Sequence, residues 1–166
     1  MKAITLWQPW ASLLACGAKE FETRSWATSY RGPIAIHAAA RIFDTRDLPA
    51  YVVHAMVQAV RPIVDKMAHT AIYLPLEMIP RGCIIATAEL IGCHKMVRRG
   101  GRGLSSDSPG WLETENGIYE PTDQELLFGD WTPGRYAWEF ANMKMLETPI
   151  HAKGGQRIWN WEDGRA

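Results

Sequence analysis

The run that most constrains this chain is residues 82–96, Gly-Cys-Ile-Ile-Ala-Thr-Ala-Glu-Leu-Ile-Gly-Cys-His-Lys-Met, the longest strand candidate in the sequence. Strands commonly span about 3–10 residues. A run of this length predicts a bent strand, or a bulge at Gly92 where the pattern holds a residue without a side chain. Shorter strand candidates lie at residues 2–7, 20–26, 34–38, 134–145 and 158–161. Helical patterns are few: two turns at 10–16, a longer stretch at 46–67 and a short one near 123–128. Strands that are not separated by regular helices argue against a doubly wound parallel sheet. The expected class is α+β: a mixed, mostly antiparallel β-barrel with peripheral helices.

Local punctuation refines the boundaries. Pro9 stands where a helix can start, and Gly17 follows the first helix as a C′ residue in the left-handed region. Leu48, Val52, Val53, Met56, Val57 and Val60 form a 3.6-residue stripe, with Pro62 expected to break or kink that helix. Pro75 and Pro80 frame a connector, Pro149 is expected to end the 134–145 strand, and Lys153-Gly154-Gly155 marks a turn. Residues 98–130 read as a loop-rich insertion. There is no internal repeat and no linker long enough to divide domains, so one domain is expected over 1–166.

Composition narrows the function classes. Eighteen basic residues balance eighteen acidic ones, so any nucleic-acid contact must come from a local patch and not a global field. Cys16, Cys83 and Cys93 have neither an even count nor a C-x-x-C spacing, which predicts reduced thiols and a cytoplasmic protein. The opening MKAITLWQPW lacks the apolar core of a signal peptide, and no run reaches the roughly 18 apolar residues of a membrane span. No phosphate-binding glycine loop is present. His37 reads as a structural hydrogen-bonder in a strand, and the other histidines lack ligand spacing. Neither a metal nor a cofactor is expected.

The stretch richest in chemistry is Gly17 to Trp26. Strand alternation puts Glu20, Glu22, Arg24 and Trp26 on one face and Lys19, Phe21, Thr23 and Ser25 on the other, unless the turn at Gly17 twists Lys19 around. A carboxylate two residues from a guanidinium can read a base edge, or it can be an exposed salt bridge of about 0–1 kcal/mol. Lys19 is a base if desolvated beside Arg24, or a charged stabiliser of an oxyanion if the carboxylates hold its proton. Gln8 can pair with a base edge and Trp7 can stack, whereas Trp10 reads as packing at a strand–helix junction. Trp26 is the better stacking candidate. Trp159 and Trp161 close the barrel or line a cleft. Lys95, Arg98, Arg99 and Arg102 form a basic run that either tracks a phosphate backbone or pairs with the seven acidic residues of 107–130.

The spacing Gly17-x-Lys19-x-x-Glu22-x-Arg24 resembles the signature of the ASCH family, whose fold is a PUA-like β-barrel. Leu6-Trp7-Gln8-Pro9-Trp10-Ala11 resembles its N-terminal box. Arg31 to Ala38 resembles its second strand, and Gly134 to Phe140 with Lys153 to Trp159 resembles its closing strands. The resemblance implies one ASCH/PUA-like domain with a cleft suited to RNA or a modified nucleoside, no membrane partner, and an oligomeric state it does not specify. Some similar members are amidohydrolases acting on N4-acetylcytidine, and others are ribonucleases. The amidohydrolase pattern pairs a Lys with a Thr three positions later and a Glu on a later strand. Lys19 matches the Lys and Glu89 the later Glu, but position 22 is Glu where that pattern has Thr. The resemblance therefore implies recognition through Gln8, Trp7, Arg24, Trp26, Arg98, Arg99 and Arg102. Lys19, Glu22 and Glu89 are the candidates for any hydrolytic chemistry. A Trp-rich protein-interaction surface is the remaining alternative.

Overall fold

The computed structural model describes residues 1–67, 75–98, 109–114 and 117–162. In chain order its elements are β1 (Lys2–Gln8), α1 (Trp10–Ala15), β2 (Phe21–Arg24), β3 (Gly32–Ile42), a 3₁₀ turn (Thr45–Asp47), α2 (Ala50–Met67), α3 (Pro75–Met78), β4 (Cys83–Val97), β5 (Trp111–Thr114), β6 (Gly117–Tyr119), α4 (Asp123–Phe128), β7 (Tyr136–His151) and β8 (Ile158–Asn160). The class is mixed α+β. The main sheet runs as an open path, β2-β7-β4-β3-β1-β8, with β5 paired to β4 and β6 to β5. β1 pairs with β3 in parallel, whereas β1–β8, β2–β7, β4–β5 and β5–β6 are antiparallel. The chain forms two compact units, one of Met1–Ala18, Pro33–Glu89 and the segment from Asn142 on, the other of Lys19–Gly32 and Leu90–Ala141.

In the first unit α1 ends as expected. Gly17 has φ +76°, its N–H donates to Leu14 O, and the Ala18 N–H donates to Leu13 O. These two bonds form a Schellman cap and satisfy carbonyls at the helix end. Among the described side chains of α2 the buried ones are Val52, Met56, Val60 and Ile63, a stripe at helical spacing. Pro62 does not break α2, which runs through it. Val60 and Ile63 carry the buried stripe past it, and that packing offsets the lost hydrogen bond. Along β1 and β3 the register pairs Thr5 with His37, and Ala3, Ala35, Ile84 and Trp161 form a buried cluster.

His37 is 2% exposed. Its Nε2 bonds Ala152 O at 3.0 Å, and its ring meets Trp159 edge-on, whose Nε1 donates to Thr5 Oγ1 at 3.1 Å. This is the structural hydrogen-bonder the strand position predicts. Burial lowers its pKa below the ordinary 6.5. The unfolded chain then takes a proton at a pH where the folded protein does not. Stability is fully present above about pH 6.5 and falls as pH drops toward the folded value, by at most about 1.4 kcal/mol per pH unit. Chemical denaturation at about pH 7.5 and 5.5 should show a larger loss for wild type than for His37→Gln. Equal losses would remove His37 as the cause.

In the second unit β2 pairs with β7, Phe21 opposite Glu139 and Glu22 opposite Trp138. Phe21, Met96, Leu112, Trp131 and Ala137 form its core. The 98–130 stretch holds more structure than expected. Leu112 is buried, β5 and β6 form a hairpin, and Gly117 at φ +109° supplies the turn backbone that other residues resist. At Gly92 the constraint is a close approach. A Cβ there would lie 2.6 Å from Glu139 Oε2 and closer still to His94 Nε2, and these two groups pair at 2.7 Å over the glycine. The continuation of β7 to His151 corrects the expected stop at Pro149. On its β2 side β7 is paired only over residues 136–139, so Pro149 lies beyond that pairing.

Candidate functional site

The predicted Gly-x-Lys-x-x-Glu-x-Arg spacing becomes a relay of alternating charge. Glu22 and Arg24 leave β2 on one face, opposite Trp138 and Tyr136. Lys19 lies before the strand, outside its alternation, and its Nζ donates to Glu22 Oε2 at 3.0 Å. The other Glu22 oxygen faces Arg24 Nε at 3.3 Å. One carboxylate thus holds two cations. Lys19 is 3% and Glu22 8% exposed, while the Arg24 side chain is 27% exposed. Lys19 also donates to Phe128 O at 3.3 Å, at the end of α4 where carbonyls lack intrahelical donors. Two acceptors around one amine make it a donor in this geometry.

Glu125 is a functional candidate that sequence reasoning missed. Thr122 caps α4 by accepting from the Glu125 N–H, and a Glu at that spacing commonly reaches back to the cap residue. Here its Oε1 instead accepts from the backbone N–H groups of Glu20 and Phe21. Its Oε2 is buried without a hydrogen-bond partner among the described residues. Burial pushes its carboxyl above the ordinary value, while the Lys19 charge and the two backbone donors pull the other way. With Lys19 on Phe128 O, these bonds clamp α4 to residues 19–21. Thr23 faces away from the relay, as alternation predicts, and accepts from the Asp130 N–H at 3.0 Å.

The remaining candidates are dispersed. Trp26 is half-buried and packs edge-on against Trp138, with ring centroids 4.6 Å apart. Glu89 is exposed and belongs to the first unit, where its Oε2 accepts from Asn142 Nδ2 at 3.0 Å. Asn142 has φ +52°, a left-handed position that Asn tolerates better than most residues. Gln8 is buried: its Nε2 donates to Ser12 Oγ and Pro80 O, and its Oε1 accepts from the Ser12 N–H. Both amide hydrogens therefore hold the protein together, and one lone pair of Oε1 is left for a ligand. Trp7 is 44% exposed, with Phe43 edge-on at 5.7 Å and the Arg41 guanidinium 5.7 Å from its ring centre. Arg98 is exposed, whereas Arg99 and Arg102 lie outside the described residues.

Also in the first unit, a cavity of about 460 Å³ is lined by Gln8, Phe43, Asp44, Arg46 and Arg81 among others. Among the described residues no group of three or more His, Cys, Asp or Glu side chains is placed to hold a metal ion. No helix among them is long and apolar enough to cross a membrane.

The chain is a mixed α+β protein whose second strand carries a Lys–Glu–Arg relay, buried at Lys19 and Glu22. The sequence matches the ASCH domain over residues 4–150, and the chain belongs to that family. No curated protein matches it in sequence.

Proposed function

We propose that this ASCH domain recognises RNA or a modified nucleoside, with Arg24 meeting a polar edge or phosphate and Trp26 supplying the stacking face. The observation that carries this reading is the Glu22 carboxylate between Lys19 and Arg24 at 3.0 and 3.3 Å. It fixes a partly exposed guanidinium in place before a ligand arrives, which lowers the ordering cost of binding. Trp26, half-buried and backed edge-on by the fully buried Trp138, offers an aromatic face on which a base stacks without sequence preference. The reading includes the barrel form of the sheet that the family resemblance implies, with a cleft as the binding place. Three free thiols fit a reducing compartment, so the reading places the protein in the cytoplasm.

Hydrolysis is the second reading, and Glu125 favours it. A buried acid with a raised carboxyl, electrostatically coupled to Lys19, is the kind of perturbed group that active sites collect. Against it, position 22 carries a carboxylate engaged by two cations instead of the hydroxyl nucleophile. In this reading Lys19 serves as a charged donor, Glu125 as an acid, and Glu89 as a more distant candidate.

The test is fluorescence polarisation with labelled short single-stranded RNAs, and competition by N4-acylated cytidines. Arg24→Ala should weaken binding about tenfold or more, within the roughly 1–3 kcal/mol range of one good arginine contact. Affinity should also fall with salt. No binding by wild type, or equal binding by Arg24→Ala, would refute the reading. Consumption of those ligands by wild type but not by a folded Lys19→Met variant would move the conclusion to hydrolysis.

A further inference from the structure

We propose that the cavity at the end of β3 in the first unit binds a phosphorylated nucleotide, with the phosphate on Arg81 and the base against Phe43 and the neighbouring Trp7. The residues that line this cavity are apart in sequence from the Arg24 relay.

Volume comes first. About 460 Å³ is within the roughly 300–1,000 Å³ of ordinary small-molecule sites, and one nucleotide fits that space. Charge comes second. The lining holds two guanidinium groups, Arg46 and Arg81, and one carboxylate, Asp44. Asp44 is already committed: it accepts from the Arg46 guanidinium with both oxygens and from the Arg46 N–H. That pairing holds its carboxyl down to about 2, so it stays ionised and matched to Arg46 across the physiological range. Arg81 is exposed and has no ion pair among the described residues, and it leaves the cavity with one surplus positive charge. Guanidinium binds phosphate in two-pronged fashion.

Aromatic surface comes third. Phe43 lines the cavity and touches both Trp7, at 5.7 Å, and Trp10, at 4.7 Å, edge-on. The half-buried Trp10 and the exposed Trp7 both pack on its ring, and Trp7 extends the aromatic surface to solvent. The Arg41 guanidinium lies 5.7 Å from the Trp7 ring centre. An exposed indole of this size, flanked by a cation, suits a flat π-face that bears negative charge nearby. A neutral nucleoside would satisfy the wall and leave Arg81 unused. Inorganic phosphate would do the reverse.

Isothermal titration of the full chain with adenosine monophosphate, adenosine and inorganic phosphate tests this directly. The monophosphate should bind at least about tenfold tighter than either fragment, the size of one charged hydrogen-bond contribution. Arg81→Ala should remove that advantage and Arg81→Lys should keep part of it. Phe43→Ala should weaken the monophosphate and adenosine together. Equal binding of monophosphate and adenosine, no binding of the monophosphate, or an advantage that survives Arg81→Ala would overturn the proposal. An RNA trimer with and without a 5′-phosphate separates the two sources of the same chemistry. A preference for the phosphorylated trimer assigns the site to a strand end, and no preference assigns it to free mononucleotides. Failure of RNA binding in Arg24→Ala bears on the relay alone, so the two proposals fail separately.

Discussion

Glu22→Ala is expected to cost about 3–5 kcal/mol of folding stability, the range for removing one partner of a buried ion pair. The substitution strips the carboxylate from the Lys19 amine, whose side chain is 1% exposed. That amine keeps only the Phe128 carbonyl, at 3.3 Å. Arg24 also loses its Glu22 contact, which it makes through a buried Nε although the side chain as a whole is 27% exposed. Lys19→Met should cost less, because it removes the buried cation and leaves Glu22 with Arg24. The order of urea midpoints should therefore be wild type, then Lys19→Met, then Glu22→Ala. Raising the salt should change that order little, since buried pairs are weakly screened. A loss under about 1 kcal/mol for Glu22→Ala would place the relay among ordinary surface pairs and undo its reading as a preorganised site.

Gly154→Ala should be the other severe substitution, at the upper end of the roughly 1–3 kcal/mol typical of overpacking. A Cβ at this position would stand 2.6 Å from His37 Cε1, 2.9 Å from its Nδ1 and 3.0 Å from Thr5 Oγ1. The ring has nowhere to go. It is buried, its Nε2 is held by Ala152 O, and Trp159 packs against its edge. The imidazole Nδ1 has no hydrogen-bond partner among the described residues, so what fixes the ring on that side is contact with glycine backbone. Thermal unfolding of Gly154→Ala, His37→Ala and the double variant checks this. The double variant should lose less than the sum of the singles, because the first truncation makes room for the second methyl. Full additivity would show that the glycine is required for some other reason.

Both predictions depend on contacts that no local pattern announces. Gly154 and His37 are far apart in sequence, and they meet because the β1–β3 register and the turn before β8 bring them together. The Lys19–Glu22 pair was half visible. Strand alternation sets them on opposite faces unless the turn at Gly17 twists Lys19 around. The pair forms because β2 begins only at Phe21, which releases Lys19 from alternation. The same boundary explains Glu125. The backbone N–H groups of Glu20 and Phe21 turn toward α4, and a helix position that reads as local capping becomes a long-range clamp.

What the chain's own order of residues determined is local. Gly17 had to close α1, since a left-handed C′ position selects glycine, and it does so at φ +76°. Apolar residues at helical spacing made α2, and the long run around Ile84 and Leu90 made β4. Thr122 marks the start of α4 within one residue of the expected helix. These follow from periodicity and backbone preference, which act between neighbours. Pro62 does not end α2 and Pro149 does not end β7: the local cost of a proline is real, but the elements around them run on, α2 with Val60 and Ile63 buried on either side of Pro62. Only the tertiary structure decided which charges are buried together, that Gln8 serves the fold with both its amide hydrogens, and that Phe43, Arg46 and Arg81 share one cavity. Side chains from Gln8 to Arg81 line one cavity only after strand order and register are set, and those are properties of the whole packed chain.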